Sequence, residues 1–276
     1  MPRGLKNYYH VVDSQKDKLS ALLSFIDSLK GKRVIVFFGT CASVNFHAQC
    51  LKLLFESMTD CHTVAKLHGK ISQKQRTKIY RDFREKQLGV KGSQACAFLL
   101  TTDLAARGID IPDVDWIVQF DPPQWSDQFV HRIGRTARAG RQGQSLLFLT
   151  DSESPYTTFL EGKSVEFEDE SVIPEISERW SSDSLAQIVQ KCMLSDKDLI
   201  DKSQEAFVSF IRYYKEHQLQ FIFAFNALNI GQVANSFFLF KLPRVKEILG
   251  RAIRDFTARN DVDFEQIGYK DANKGK

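Results

Sequence analysis

Three arginines spaced three apart, Arg132, Arg135 and Arg138, stand in the segment His131-Arg-Ile-Gly-Arg-Thr-Ala-Arg-Ala-Gly140. Residues three apart are neighbours on a helix surface, so two or three of these guanidinium groups can point the same way, and Arg141 adds to the cluster. Like charges at that spacing repel by roughly 0.2–0.5 kcal/mol per pair. A fold keeps them together when an anion sits between them, and guanidinium forks match phosphate oxygens through paired hydrogen bonds. Gly134 and Gly140 allow close backbone approach or a positive φ. The plainer alternative is a solvated basic helix end, which the helix dipole also favours.

A second segment, Leu99-Leu-Thr-Thr-Asp-Leu-Ala-Ala-Arg-Gly-Ile-Asp-Ile-Pro112, follows the same logic. Thr101, Thr102 and Asp103 come straight after an apolar run, where a strand end meets a helix N-terminus and can seat a phosphate. Gly108 permits close approach, and Asp110 offers an acceptor for hydroxyls, as acidic residues do for ribose. An ordinary strand–turn–helix with a threonine cap remains the alternative. No G-x-x-x-x-G-K-[ST] loop, Asp-Glu-Ala-Asp run or Ser-Ala-Thr run occurs.

Alternating strand-like and helix-like segments must position these residues. Helical spacing runs from Gln15 to Lys30, ending at Gly31, and again from Thr40 to Phe55. Ser72 opens a third helix, with Gln75 placed for a capping box, and a fourth spans Ser126 to about Arg135. Strands are expected at 33–38, 63–67, 95–100, 116–120 and 145–149. This order predicts an α/β fold, a parallel sheet with helices on both faces. Ligands of such sheets bind outside the carboxyl ends of the strands, so Thr40, Thr101-Thr-Asp103 and Asp121 are expected along one edge. Beyond Asp151 the chain reads as a short helix and an irregular, acidic connection, then as helix from about Asp183 to about Arg259. Ser195 is expected to cap a helix in which Phe207, Phe210, Ile211 and Tyr214 face a core. The expected divisions are 1–155, a connecting segment 156–181, a helical extension 182–265 and a disordered tail 266–276.

The bulk properties fit a globular chain. Its 276 residues are 43% hydrophobic and carry a net charge of +4, too weak a bias to argue for a polyanionic partner without local clustering. Five cysteines without a C-x-x-C pair speak against a disulfide framework or a zinc site and for a reducing compartment. No apolar stretch reaches the ~18–20 residues of a membrane span, and no metal site is expected. His10, His47, His62 and Cys41 have no sequence partner that suggests chemistry.

Taken in order and at their spacing, four segments resemble the DEAD-box ATP-dependent RNA helicases, in particular their second RecA-like lobe: Val34-Ile-Val-Phe-Phe38, His68-Gly69 with Gln73 and Arg76, Thr101 to Pro112, and His131 to Gly140. The resemblance implies that Arg135 and Arg138 reach the γ-phosphate of ATP, with Gly108 and Asp110 at its ribose. It implies that Gly69, Gln73, Arg76 and Thr102 contact RNA phosphates and sugars, with little sequence preference. His131 and Arg132 would couple the two sites across the lobes. In the family, magnesium and most ATP contacts belong to a first lobe, which would be joined in cis. The reading therefore expects this chain to be part of a longer protein and inactive alone as an ATPase. One position departs: Ala137 stands where the family usually has glycine, which strains the backbone if φ is positive and costs nothing if it is helical.

The segment Ala206-Phe-Val-Ser-Phe-Ile-Arg-Tyr-Tyr-Lys-Glu-His217, with Phe221-Ile-Phe223 and Leu242-Pro-Arg244, is similar to the extension of a nucleolar subgroup acting in large ribosomal subunit assembly. This implies pre-rRNA and a pre-ribosomal particle as partners, and the nucleus and nucleolus as location. The extension's aromatics read as core, because they recur at helical spacing. Its basic residues Arg212, Lys215, Lys241, Arg244, Lys246 and Arg251 are either an RNA-facing surface or solvated faces. Two alternatives to the helicase reading are a non-catalytic RNA- or protein-binding module and a DNA helicase lobe.

Overall fold

The computed structural model describes residues 4–56, 62–85, 94–106, 114–137, 141–169, 171–175 and 178–271. Six parallel strands form one sheet: β1 (Leu5–Val12), β2 (Arg33–Phe37), β3 (Thr63–Leu67), β4 (Ala97–Thr101), β5 (Trp116–Gln119) and β6 (Gly143–Thr150), in the order β1-β6-β5-β2-β4-β3. The fold is the expected α/β type, with helices on both faces. β1 is an addition, absent from the sequence reading. Its Asn7, Tyr8 and Val12 are buried, while Lys6 and Tyr9 are exposed.

The strands sort their side chains by the period-two rule. From β2, Val34 and Val36 enter one core, and Ile35 and Phe37 enter the other. β4 divides the same way, with Phe98 and Leu100 opposite Ala97 and Leu99. The larger core takes α1 (Lys18–Ser28) and α2 (Cys41–Phe55). The smaller takes α3 (Gln73–Glu85) through Phe83 and Ile79, and the single-turn α4 (Asp103–Ala106) through Ala105. α5 (Ser126–Ile133) follows β5 and buries Phe129 and Ile133 in the larger core.

Local signals explain the helix ends. Gly31 adopts a φ of +60°, which glycine tolerates without the Cβ penalty, and so turns the chain out of α1. Thr40 caps α2 by accepting from the Ser43 amide at 3.0 Å. Ser72 accepts from the Gln75 amide at 3.4 Å, but Gln75 Oε1 takes the Ser72 hydroxyl rather than its amide, so only half of a capping box forms.

After β6, Glu153 accepts from the Thr150 amide, from Gln15 Nε2 at 2.8 Å and from Lys18 Nζ at 3.1 Å, a buried knot joining the end of the sheet to α1. α6 (Pro155–Glu161) follows, and the acidic connection then runs beside β1: the Glu168 amide donates to Asn7 O, and Asn7 Nδ2 donates to Glu166 O. That covers an otherwise open sheet edge.

The extension holds α7 (Ser182–Met193), α8 (Lys197–Lys215) and α9 (Ile230–Ser236). α8 packs on α2, and its Phe207, Phe210, Ile211 and Tyr214 join the larger core as expected. Helical structure stops earlier than the sequence suggested: beyond Ser236, among the described residues, one 3-10 turn (Lys246–Ile248) forms. There Arg251 donates to the carbonyls of Phe225, Asn226 and Leu228, which makes it a backbone staple rather than a surface charge. Asp196, not Ser195, caps α8, since its carboxylate accepts from the Asp198 amide while the Ser195 hydroxyl turns back to Cys192 O. Part of the tail 266–276, expected to be disordered, is held in place: Gly268 O accepts from the Lys197 amide and the Tyr269 hydroxyl donates to Asp201 at 2.7 Å.

Candidate functional site

Parallel pairing of β5, β2 and β4 brings their carboxyl ends level, with Phe37 opposite both Thr101 and Gln119. Thr40, Thr102-Asp103 and Asp121 therefore follow adjacent strand ends along one edge, as expected. His68 and Gly69 extend that edge beyond β3, which pairs with β4.

At one end of the edge the residues assigned to RNA gather around α4. Thr102 lies immediately before it. Arg76, on the facing side of α3, donates through Nη1 to Ala105 O at 3.4 Å, and the Tyr80 hydroxyl donates to the same carbonyl at 3.1 Å. A Cβ on Gly69 would lie 3.6 Å from the Leu104 side chain, an ordinary contact, so the backbone there is close to α4 but not crowded by it. Gln73 is exposed on the first turn of α3, one turn from Arg76. Asn45 of α2 accepts from Lys66 Nζ at 2.5 Å and pairs with His68 Nε2 at 3.2 Å. Burial, followed by the charges of Lys66, Lys70 and Arg76, lowers the His68 pKa and keeps the ring neutral in basic surroundings. Among the described residues, His68 Nδ1 and Arg76 Nε are buried polar atoms without a protein hydrogen-bond partner. The Arg76 nitrogen is a donor that a phosphate oxygen satisfies, whereas His68 Nδ1, with Nε2 donating to Asn45 Oδ1 in a neutral ring, is an acceptor that suits a sugar hydroxyl.

At the other end stands α5, and here the structure departs from the sequence reading. Arg132 does not share a solvent face with Arg135. It is 1% exposed and turns inward, donating to both Asp103 carboxylate oxygens at 2.6 and 2.8 Å, to Asp121 O at 2.6 Å and to Gln119 Oε1 at 3.3 Å. Burial opposes its charge, and the Asp103 pair more than offsets this, so its pKa lies above the usual arginine value. Asp121 is also buried, which raises its pKa against the opposing pull of Lys18, the Gly39 amide and Arg132. His131 is exposed. Arg135, just past α5, is partly exposed, and its Nε donates to His131 O at 3.3 Å. Gly108, Asp110 and Arg138 lie outside the described residues.

Ala137 takes a φ of +53°, the strained alternative of the two set out from its sequence. It packs tightly against the start of β6, where a Cβ on Gly143 would fall 2.5 Å from the Ala137 nitrogen. Asn45 and Gln119 were not singled out by the sequence, and Asp103 was read as part of a phosphate seat rather than as the partner of Arg132. Gln119 did carry a signal, as a polar residue in the otherwise apolar Trp116–Phe120 run; Asn45 carried none.

Two family descriptions match: "Helicase conserved C-terminal domain" over residues 17–140, and "ATP-dependent rRNA helicase SPB4-like, C-terminal extension" over residues 196–245. The ATP-dependent RNA helicase DDX55 of Danio rerio is 35% identical over 281 residues, spanning 100% of this chain and 43% of that protein. The chain belongs to the DEAD-box RNA helicase family. It is the C-terminal RecA-like lobe, followed by an SPB4-like extension. The DEAD-box ATP-dependent RNA helicase 18 of Oryza sativa subsp. japonica is 36% identical over 280 residues, spanning 100% of this chain and 40% of that relative. The helicase lobe and its extension thus cover about two fifths of these relatives. Among solved structures, "Mss116p DEAD-box helicase domain 2 bound to an RNA duplex" matches with a TM-score of 0.69 at 23% identity, over 91% of this chain and 100% of that one, a likeness of fold.

Proposed function

We propose that this chain is the RNA-facing and γ-phosphate-facing half of an ATP-dependent RNA helicase that opens short duplexes in pre-rRNA during large ribosomal subunit assembly, in the nucleolus. One observation carries the reading. The buried Asp103–Arg132 pair ties the segment bearing Thr102, on the RNA side, to the helix that bears His131 and leads to Arg135, on the nucleotide side. A change in either place is transmitted to the other through one bidentate contact.

In this reading Gly69, Gln73, Arg76 and Thr102 hold RNA by its backbone, and Asp110 with Gly108 holds the ATP ribose. Arg135 and Arg138 offset charge on the transferring phosphoryl, a contribution worth about 10³–10⁵ in rate for such arginines. ATP with magnesium, held mainly by a first lobe, would supply the free energy. The SPB4-like extension and the DDX55 relatives support the ribosomal assignment. The test is RNA-stimulated ATP turnover by the two-lobed protein that contains this chain. Arg138→Ala should abolish turnover while RNA binding persists. A two-lobed protein without RNA-stimulated turnover would overturn the proposal in favour of a binding module, and equal stimulation by matched DNA would overturn the choice of RNA.

A further inference from the structure

We propose that Tyr213, a residue of the extension, is a positioning residue for the RNA-contacting edge of the lobe, holding the Arg132–Asp103 pair that sets the start of α4. The proposal rests on the RNA assignment above.

The contact is built from both sides. A Cβ on Gly39, directly beyond β2, would lie 2.5 Å from Cε1 of the Tyr213 ring and 2.6 Å from Cζ, so the lobe keeps a glycine where the extension lays an aromatic ring. The φ of Gly39 is not in the left-handed region, which leaves space rather than backbone freedom as the reason for the residue. The connection from β5 to α5 grips the same tyrosine at two points. Its hydroxyl donates to Pro122 O at 2.5 Å, and its backbone carbonyl accepts from Gln124 Nε2 at 2.7 Å.

The carbonyl next in the chain to that of Pro122, Asp121 O, receives Arg132 Nη1 at 2.6 Å, so the hydroxyl braces the segment on which the guanidinium rests. Burial raises the phenol pKa, so the group stays a neutral hydroxyl able to donate to Pro122 O. A phenylalanine would fill the same volume over Gly39 but could not hold the Pro122 carbonyl. From Arg132 the contacts continue through both Asp103 oxygens into α4, whose Ala105 carbonyl receives Arg76. A continuous series therefore runs from α8 through the Asp121–Pro122 peptide, Arg132 and Asp103 to two residues assigned to RNA, Thr102 and Arg76. Filling space against Gly39 requires only the ring; the hydroxyl serves the lobe's internal pair.

The test uses this chain with a fluorescein-labelled single-stranded oligoribonucleotide, read by anisotropy, alongside thermal melts of each variant. Tyr213→Phe keeps the ring and removes the hydroxyl. Ser203→Ala is the calibrating control: it removes a buried hydroxyl from the same helix, one that donates to Phe237 O at 2.6 Å, away from Arg132. Arg76→Ala checks the RNA assignment itself. The expected result is a RNA affinity about threefold to tenfold weaker for Tyr213→Phe, the scale of one lost hydrogen bond, with Ser203→Ala binding like the unaltered chain at a comparable melting temperature. If Arg76→Ala weakens binding and Tyr213→Phe does not, the positioning role falls while the RNA assignment stands. If Ser203→Ala loses as much as Tyr213→Phe, the effect is general loosening and the positioning role falls. If Arg76→Ala changes nothing, the RNA assignment falls and takes this proposal with it.

Discussion

Arg132 and Asp103, separated by 29 residues, form a two-pronged ion pair with the guanidinium 1% exposed and both carboxylate oxygens engaged. The spacing allowed the arginine to share an anion with Arg135 and Arg138, yet the anion it binds is Asp103 of the lobe itself. Removing one partner of such a pair strands the other charge in low dielectric, which typically costs about 3–5 kcal/mol. Asp103→Ala should therefore lower the unfolding free energy of this chain, read by urea titration, by an amount in that range. Arg135→Ala, at a partly exposed position, should change stability by less than about 1 kcal/mol. Equal losses in the two variants would contradict the structural role assigned to Arg132.

Ala137 has a φ of +53°, and a left-handed alanine is strained by roughly 1–2 kcal/mol. Ala137→Gly relieves that strain without creating a large cavity. Equilibrium unfolding should show a gain of about 1 kcal/mol, and a loss would mean that the methyl's packing outweighs the backbone strain.

Acid should weaken this fold through its buried histidines before its carboxylates titrate. His47 lies among the rings of Phe38, Phe46, Phe120 and Phe237, and burial pushes its pKa down to about 4, opposed only by the Ser43 carbonyl. His217, against Phe223, is likewise pushed by burial to about 4. The unfolded chain binds these protons near pH 6.5 and the folded chain does not. Stability therefore falls as pH drops from about 6.5 towards 4, on the order of 3 kcal/mol for His47, and this contribution levels off below the folded pKa. His47→Phe should flatten the dependence of unfolding free energy on pH across that interval; an unchanged slope would remove His47 as its source.

Binding of single-stranded RNA should weaken linearly as log salt rises, because phosphate contacts release counterions. Each contact contributes about 0.7 to the slope for a single strand, so Arg76→Ala should reduce the slope by about that amount, with similar effect on different sequences. Titrations at several salt concentrations, with two oligonucleotides of unlike sequence, decide this. A lost preference for one sequence would point to base contacts instead.

Much of this architecture is legible along the chain because it depends on local period and local chemistry. The run Val34-Ile-Val-Phe-Phe38 reads as a buried strand by composition, α8 reads as a helix by the spacing of Phe207, Phe210, Ile211 and Tyr214, and strand order with polar ends predicts one ligand edge. The weakest local signals went unread: Leu5–Val12 mixes polar and aromatic residues, and its strand exists because it pairs along its whole length with β6. Similarly, the irregular stretch beyond Ser236 is held by side chains such as Arg251 rather than by a repeating backbone pattern.

The arginine segment by itself determined that guanidinium groups would crowd the end of a helix near the sheet edge. It did not determine which way each would turn. Helical spacing gives neighbours on a surface but not what lies against that surface, so the inward turn of Arg132 was decided by Asp103, 29 residues away, and by the desolvation that only a bidentate partner can offset. The same holds for Gly39 and Tyr213. In sequence they are a turn glycine and one aromatic among many; only tertiary packing, which brings α8 across the strand ends, makes the missing Cβ of one the seat of the other's ring.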